Sequence, residues 1–161
     1  MKQLYFIILC LATLIFNDVK ACSCIGLASA KSALKSSEMV FVGKAISKEI
    51  VQVLDLELTE LYPLDSARFH EFPYTTHVAK YKFQIKKLYK GFTQSDTLIV
   101  FTGVGGGDCG YSFNIGVDYI VYSKDENNLT YHNDSYTWTS ICSRTRVFDI
   151  TEITLIKEAL K

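Results

Sequence analysis

The sequence predicts an all-β domain flanked by helices, and two observations support this fold class. Short segments rich in β-branched and aromatic residues recur along the chain, separated by glycine, proline or polar turns. Ten tyrosines and ten phenylalanines among 161 residues also favour a β-rich core, because aromatic side chains pack well on a pleated sheet. The length is sufficient for one domain with its own hydrophobic core and is too short for two domains of typical size.

Residues 1–21 are predicted to be a secretory signal peptide. Lys2 precedes an apolar run at positions 4–16, and the segment ends in Val19-Lys20-Ala21. Small or branched residues one and three positions before the cut suit signal peptidase, so we expect cleavage after Ala21. The mature domain then spans residues 22–161 and begins with a cysteine whose α-amino group is free.

A membrane anchor and a lipoprotein signal are the alternatives for this leader. The apolar run is shorter than the roughly 20 residues that cross a bilayer as a helix, so no stable membrane span is expected. Acylation of Cys22 stays open, although Lys20 stands where a lipobox has a small or apolar residue. The expected location is therefore secreted or extracellular, with a periplasmic or lipid-anchored location as the alternative in a bacterium.

The predicted strands are short runs in which apolar residues alternate with polar ones or follow one another. They are residues 39–46, 51–58, 78–89, 97–101, 119–122 and 129–131. The second run slips at Val53-Leu54, as a β-bulge would produce. The third run places Tyr81, Phe83 and, after a shift, Leu88 on one face. Residues 123–128 are expected to be the turn that joins the last two runs into a hairpin.

Helices are expected on both sides of the strands. Residues 28–36 carry small side chains with Leu34 on one side, which predicts a short helix. Asp149 and Glu152 have the spacing of a capping box for a last helix at residues 150–160. Five principal strands with these helices, at these spacings, suit a small Greek-key barrel of the OB type.

Four cysteines remain after the predicted cleavage, because Cys10 leaves with the signal peptide. They are Cys22, Cys24, Cys109 and Cys142. An even number in an exported chain predicts two disulfides, for which three pairings exist. A bond between Cys22 and Cys24 would close a strained, tiny ring, so each is expected to reach downstream, which leaves two pairings open. A zinc site is less suited, because such sites usually show paired C-x-x-C spacings.

Charge and motif content exclude several function classes. The chain has 17 basic and 17 acidic side chains, which gives no electrostatic case for nucleic acid or an anionic membrane as partner. His70, His77 and His132 show no metal-ligand spacing, and no nucleophile-elbow pattern surrounds any serine. We therefore expect no enzyme, no resident metal and no cofactor. Asn128 and Asn133 match the glycosylation acceptor pattern, which matters only in a eukaryotic secretory pathway.

The glycine-rich segment at residues 103–110 is predicted to be a turn near a disulfide. It lacks the Lys-Ser/Thr of a phosphate-binding loop, and no helix is expected to follow it.

An ordered set of short motifs carries a family resemblance. The motifs are Cys22-Ser23-Cys24, residues 81–85 running into 88–92, Cys109-Gly110-Tyr111, Gly116 ahead of residues 119–121, and Ile141-Cys142-Ser143. Together they resemble the N-terminal domain of the tissue inhibitors of metalloproteinases, a netrin-like module with an OB-fold. The resemblance extends from Cys22 to about Val147; each motif is weak alone, and the ordered set is specific.

The resemblance implies a secreted, monomeric inhibitor whose partner is a zinc metalloprotease. It implies disulfides between Cys22 and Cys109 and between Cys24 and Cys142. The implied protease-binding residues are Cys22, Ser23, Cys24, Ile25, Gly107, Asp108, Cys109 and Gly110. Ser23 would point into the protease pocket beyond the zinc, and Ile25 with the turn at 107–110 would flank it as a ridge.

The chemistry of an N-terminal cysteine fits this implied role. A neutral α-amine and the carbonyl oxygen of Cys22 can form a five-membered chelate ring around the zinc of a protease. Three histidines hold such a zinc and leave a position for the catalytic water, which the chelate would displace. An ordinary α-amine has a pKa of about 7.7–8.0, so coordination releases a proton and binding is expected to weaken in acid.

Three departures from the family pattern leave a second function open. The animal inhibitors have a third disulfide in this domain and a cysteine-rich C-terminal domain, and this chain has no cysteines for either. An acidic insertion at residues 51–76 lengthens the first hairpin. The alternative function is a non-inhibitory netrin-like module, secreted or lipid-anchored, that uses the same barrel to bind another protein.

Overall fold

The computed structural model describes residues 22, 24, 26, 28–55, 75–105, 107–131 and 134–161, without the side chains of 127–130, 134 and 135. The chain is mostly β-sheet, with a short helix before the strands and another after them. The helices are α1 (Ala30–Ser36) and α2 (Ile150–Ala159). The strands are β1 (Met39–Asp55), β2 (Thr75–Lys90), β3 (Thr97–Gly103), β4 (Asp118–Tyr131), β5 (Asp134–Trp138) and β6 (Arg146–Val147).

Five of these strands form a closed ring. Strand β2 pairs antiparallel with both β1 and β3, β3 lies parallel to β5, and β5 pairs antiparallel with β4. The ring closes because β4 also pairs with β1, where Met39 lies opposite Ser123 and Lys44 opposite Asp118. The short strand β6 pairs with β4 outside the ring. The strand order around the ring is therefore β1-β2-β3-β5-β4.

An aromatic cluster forms the main core. Tyr81 and Phe83 are almost completely buried there, and Leu88 packs against them after a register shift, which confirms the predicted face of β2. Phe113 lies edge-on to Tyr81 at 4.9 Å and to Phe83 at 5.0 Å between ring centroids, a favourable geometry for aromatic pairs. Phe113 belongs to the segment between β3 and β4, which follows the glycine-rich turn. Burial of its ring therefore fixes this segment against the core.

Both helices pack against the same side of the ring. Ala33 and Leu34 of α1 share a buried cluster with Ile153 and Ile156 of α2 and with Val40, Val42, Ile120 and Tyr122 of the strands. The C-terminal helix thus closes this part of the core beside α1.

Strand β1 is longer than the sequence predicts, and its irregularities lie at other positions. The predicted runs at 39–46 and 51–58 form one strand through Asp55. The predicted bulge at Val53-Leu54 is wrong, because pairing with β2 is regular from Ser47 to Leu54 and the three register shifts all lie between Val40 and Ser47. Val53 is buried with Phe101 and Tyr136, so the first residues of the acidic insertion belong to the core.

The predicted hairpin with its turn at residues 123–128 is also wrong. Strand β4 continues through this polar stretch, where Lys124 pairs with Trp138, and Glu126 with Tyr136, of β5. Exposed charged residues are compatible with a strand when backbone partners are present. The strand pairing supplies those partners, and local composition does not reveal them.

Candidate functional site

The two disulfides join Cys22 and Cys24 to two separate loops. Cys22 bonds to Cys109, and Cys24 bonds to Cys142, with Cα–Cα distances of 5.4 Å in both pairs. This is the pairing that the family resemblance implies. The bonds connect residues 87 and 118 positions apart, so both loops are brought to one edge of the strand ring.

This cysteine-anchored edge consists of residues 22, 24, 107–110 and 142. The backbone N–H of Ile141 donates to the carbonyl oxygen of Cys109 at 3.0 Å, which holds the two disulfide-bearing loops side by side. The sulfur of Cys22 lies 3.2 Å from the carbonyl oxygen of Gly107. Because a disulfide sulfur carries no hydrogen, this approach is a packing contact. The edge therefore contains Cys22, Cys24 and the turn at 107–110 of the predicted ridge.

Asp108 organises the glycine-rich loop through its carboxylate. Oδ2 accepts a hydrogen bond from the N–H of Val104 at 2.6 Å, and Oδ1 accepts from Gly105 at 2.9 Å and from Gly110 at 3.0 Å. Sequence reasoning placed Asp108 on the ridge as a protease contact and missed this role. The signal that could have revealed it is an aspartate among glycines, since Asp side chains commonly bond nearby backbone N–H groups in turns.

Glycine is required at two positions of this loop for reasons of space. A Cβ atom on Gly110 would collide with the carbonyl group of Gly103, and one on Gly103 would collide with the carboxylate of Asp108. Cys109 itself has a φ angle of 59°, a left-handed conformation that is uncommon for a residue with a side chain. The loop therefore presents Cys109 in one tightly determined conformation.

The loop that carries Cys142 is clamped to β4 by two buried threonines. The hydroxyl of Thr139 donates to the carbonyl oxygen of Tyr122 at 2.8 Å, and that of Thr145 accepts from the N–H of Tyr122 at 2.9 Å. Both threonines are buried, so these bonds satisfy groups that water does not reach. Neither belongs to a recognisable motif, which is why sequence reasoning did not find them.

A buried ion pair lies next to Cys142. The Nε atom of Arg144 donates to Oε1 of Glu152, and Nη2 donates to Oε2, both at 2.6 Å. The hydroxyl of Tyr122 also donates to Oε1 at 2.6 Å, and Nη1 of Arg146 lies 3.5 Å from Oε2. Only 1% of the Glu152 side chain is exposed, so this carboxylate depends on its partners.

The predicted capping box is half right. Asp149 caps α2 by accepting from the N–H of Thr151 at 2.9 Å. Glu152 does not serve as the second half of the box, because its carboxylate points inward to Arg144 and Tyr122. The D-x-x-E spacing is the same whether the glutamate caps the helix or pairs with a buried cation. The cation is Arg144, eight residues before Glu152, so the spacing does not show which role applies.

The partners of Glu152 determine its charge. Burial by itself would raise the pKa of this carboxyl group, but hydrogen bonds from Arg144 and Tyr122 outweigh burial, so the pKa is lowered. The hydrogen bond to Glu152 raises the pKa of the Arg144 guanidinium. Burial, followed by the contact with Glu152, raises the pKa of the Tyr122 hydroxyl. The ion pair is therefore charged at neutral pH, with Tyr122 as a neutral donor.

Several sequence predictions concern residues outside those the structure describes. They are the signal peptide at 1–21, the pocket residue Ser23, the ridge residue Ile25, the insertion from 56 to 74, the histidines at 70 and 132, and the glycosylation acceptor at 133. Within the described part of the chain, no helix is long and apolar enough to cross a membrane. No cluster of three or more histidine, cysteine or acidic side chains suited to a metal occurs among those same residues.

Comparison with known proteins does not assign a family. No protein-family model matches the chain, and no curated protein matches it significantly. A function is therefore inferred from the geometry of the cysteine-anchored edge.

Proposed function

We propose that this protein is a secreted inhibitor of zinc metalloproteases that acts through its mature N-terminus. The observation that carries the proposal is the pair of disulfides that flank position 23, Cys22–Cys109 and Cys24–Cys142. After cleavage following Ala21, the amine and carbonyl oxygen of Cys22 would chelate the zinc of the target and displace its catalytic water.

Rigid presentation of the N-terminus supports this mechanism. A flexible terminus would lose conformational entropy on entering a protease active site, at roughly 1–2 kcal/mol per ordered residue. Here Cys22 and Cys24 are already anchored to loops that Asp108, Thr139 and Thr145 hold in place. Docking a preorganised segment costs less, which favours tight binding.

The strand order supports a netrin-like assignment within the same proposal. A ring with the order β1-β2-β3-β5-β4 and a parallel β3–β5 pair is compatible with a five-stranded Greek-key barrel of the OB type. In this proposal Ser23 enters the pocket beyond the zinc, and Ile25 with the ridge at 107–110 contacts the surface around it. The inhibitor is not an enzyme and acts as a monomer on one protease.

The decisive experiment adds one alanine before Cys22. The extension turns the α-amine of Cys22 into an amide nitrogen, which ligates zinc poorly, and pushes an extra residue into the space of the metal. We expect inhibition of a metalloprotease panel to fall by orders of magnitude, with almost no change in melting temperature. Acetylation of the N-terminal amine should have the same effect, and Ser23→Gly a milder one.

A matched control carries the additional alanine after Lys161 and should inhibit like the unmodified protein. Mass spectrometry of the secreted proteins establishes the N-terminus of each variant before the assay. Equal potency of the N-terminally extended protein would show that zinc chelation is wrong. Absence of inhibition by the mature protein itself would favour the non-inhibitory binding module.

A further inference from the structure

The guanidinium group of Arg144 reaches two distant parts of the chain at once. Its Nε and Nη2 atoms face the carboxylate of Glu152 in α2, while Nη1 donates to the carbonyl oxygen of Ala28 at 2.8 Å. Ala28 is 116 positions away in sequence and directly precedes Ser29, whose side chain caps α1. Arg144 thus connects the C-terminal helix to the segment that leads from the N-terminus into α1.

Glu152 determines the direction in which Arg144 points. A carboxylate that is 1% exposed must keep a cationic partner, and the two parallel hydrogen bonds align the planar guanidinium with it. The remaining nitrogen, Nη1, is then directed at Ala28. A lysine cannot reproduce this arrangement, because its ammonium group is a point charge without a fork of donors.

The backbone of Arg144 is held in an unusual conformation. Among the described residues, Cys109 and Arg144 are the non-glycine positions with a positive φ, at 59° and 40°. Such conformations are unfavourable for residues with a side chain and persist where surrounding contacts enforce them. Both positions belong to loops that anchor the N-terminal segment.

The same loop therefore holds the N-terminal segment at two points. Cys142 binds Cys24 covalently, and Arg144, two residues later, binds the carbonyl group of Ala28. A disulfide alone leaves rotations about its bonds, whereas a second attachment four residues along the segment restricts them. Within the segment, the N–H of Gly26 donates to the carbonyl oxygen of Cys24 at 2.8 Å, which makes this amide a local reporter of order.

We propose that Arg144 is a positioning residue for the zinc-chelating N-terminus and that Glu152 of α2 holds it in place. The expected effect of Arg144 on inhibition rests on the proposed function. Its effect on the order of Cys24, Gly26 and Ala28 does not. The C-terminal helix thereby contributes to the orientation of Cys22 as well as to the core. A misplacement of about 1 Å at a reacting group can cost roughly a hundredfold, so loss of this anchor should be measurable.

The test compares Arg144→Lys with the matched control Arg146→Lys. The Arg146 side chain also faces Glu152, at 3.5 Å, but among the described residues it makes no hydrogen bond to the N-terminal segment. Amide exchange followed by NMR reports on Gly26 and on strand amides of β2 separately. Inhibition constants are measured on the same preparations, with non-reducing peptide mapping to establish both disulfides.

For Arg144→Lys we expect at least tenfold faster exchange at Gly26, unchanged exchange in β2, and inhibition weakened about ten- to a hundredfold. Arg146→Lys should leave Gly26 and inhibition within about twofold of the unmodified protein. Unchanged exchange at Gly26 in Arg144→Lys overturns the positioning role, whatever happens to inhibition. If exchange at Gly26 is faster in Arg144→Lys but the unmodified protein inhibits no protease of the panel, the positioning role is kept and the proposed function is rejected.

A second variant covers the case in which Arg144→Lys does not fold. Glu152→Gln keeps the side-chain volume and removes the charge that aligns the guanidinium. Faster exchange at Gly26 with protected β2 amides is again the expected result. Slow exchange at Gly26 in this variant would overturn the inference.

Discussion

At the residue scale, Asp108 shows how one side chain determines the geometry of the cysteine-anchored edge. Its carboxylate accepts hydrogen bonds from three backbone N–H groups, all within four positions of Asp108 in sequence. The loop can therefore turn without leaving those donors unpaired. The same loop carries Cys109 and thereby the sulfur that anchors Cys22. Replacing Asp108 should therefore change the position of Cys22 indirectly, through Cys109 of the same loop.

We expect Asp108→Ala to lower the free energy of unfolding by about 1–2 kcal/mol, because hydrogen bonds to a carboxylate are lost at an exposed site. Asp108→Asn should cost about half as much, since one amide oxygen still accepts. Urea denaturation measures both changes. The control is Asp96→Ala, where the carboxylate accepts one bond from Gln84 and little change is expected. Equal stability of Asp108→Ala and Asp96→Ala would contradict the loop-organising role.

At the element scale, helix α2 links stability to pH through Glu152. The folded pKa of this carboxyl group is lowered below its ordinary value of 4.5. Its charged form therefore contributes stability that is fully present above the unfolded pKa and is lost as the pH falls through the folded pKa. The window of lost stability starts near pH 4.5 and extends below it.

We expect Glu152→Gln to flatten the dependence of the unfolding free energy on pH below about pH 5. At pH 7 the same variant should be destabilised by roughly 3 kcal/mol, because Arg144 loses its buried partner. Denaturation between pH 3 and pH 7 measures both effects. Glu158→Gln, on the exposed side of α2, is the control and should follow the parent curve. A Glu152→Gln curve parallel to the parent would refute the linkage.

The insertion between β1 and β2 provides a second prediction at this scale. Its ends belong to paired strands, since Leu54 lies opposite Thr75 and Val53 is buried. Shortening the segment between residues 55 and 72 should leave the fold intact and change which proteases bind. The change should occur mainly in association rate and salt dependence, because acidic side chains act over long distances. Stopped-flow association at several ionic strengths measures it.

The control for this experiment is an insertion of unchanged length with its acidic residues replaced by amides. It should reproduce the altered salt dependence and keep the length of the hairpin. Loss of folding in the shortened protein would show that the segment is part of the core.

At the scale of the whole molecule, both disulfides connect the segment around Cys22 and Cys24 to loops much later in the chain. Cys24 and Cys142 are 118 positions apart, so their bond removes many extended states from the unfolded ensemble. The double substitution Cys24→Ser/Cys142→Ser should lower the free energy of unfolding by roughly 2–5 kcal/mol. Guanidinium denaturation of the secreted protein measures this change.

Cys10→Ser is the matched control for this prediction. If the signal peptide is removed as proposed, the mature protein lacks position 10 and its stability stays the same. A stability change in Cys10→Ser, or a mature mass that includes residue 10, would contradict the cleavage site.

Local pattern alone predicted several features of the fold correctly. The face of β2 with Tyr81 and Phe83 follows from alternation, which is a property of neighbouring residues. The start of α2 at Asp149 follows from its capping side chain. Two disulfides were expected because four cysteines remain after the predicted cleavage of an exported chain, and two are present. Each of these signals is contained within a short window or in the composition, so the sequence determines it without knowledge of distant partners.

Tertiary structure determined the features that depend on contacts between residues far apart in sequence. Lys124 and Glu126 lie in a strand because β5 supplies their backbone partners. Glu152 holds Arg144 instead of completing a capping box, because its carboxylate is buried beside that cation and a buried charge without a partner would be costly. The approach of Arg144 to Ala28 depends on both the Cys24–Cys142 bond and the packing of α2. Composition and periodicity do not predict such contacts, because they form only when the folded ring brings Cys24 and Ala28 next to the loop with Cys142 and Arg144.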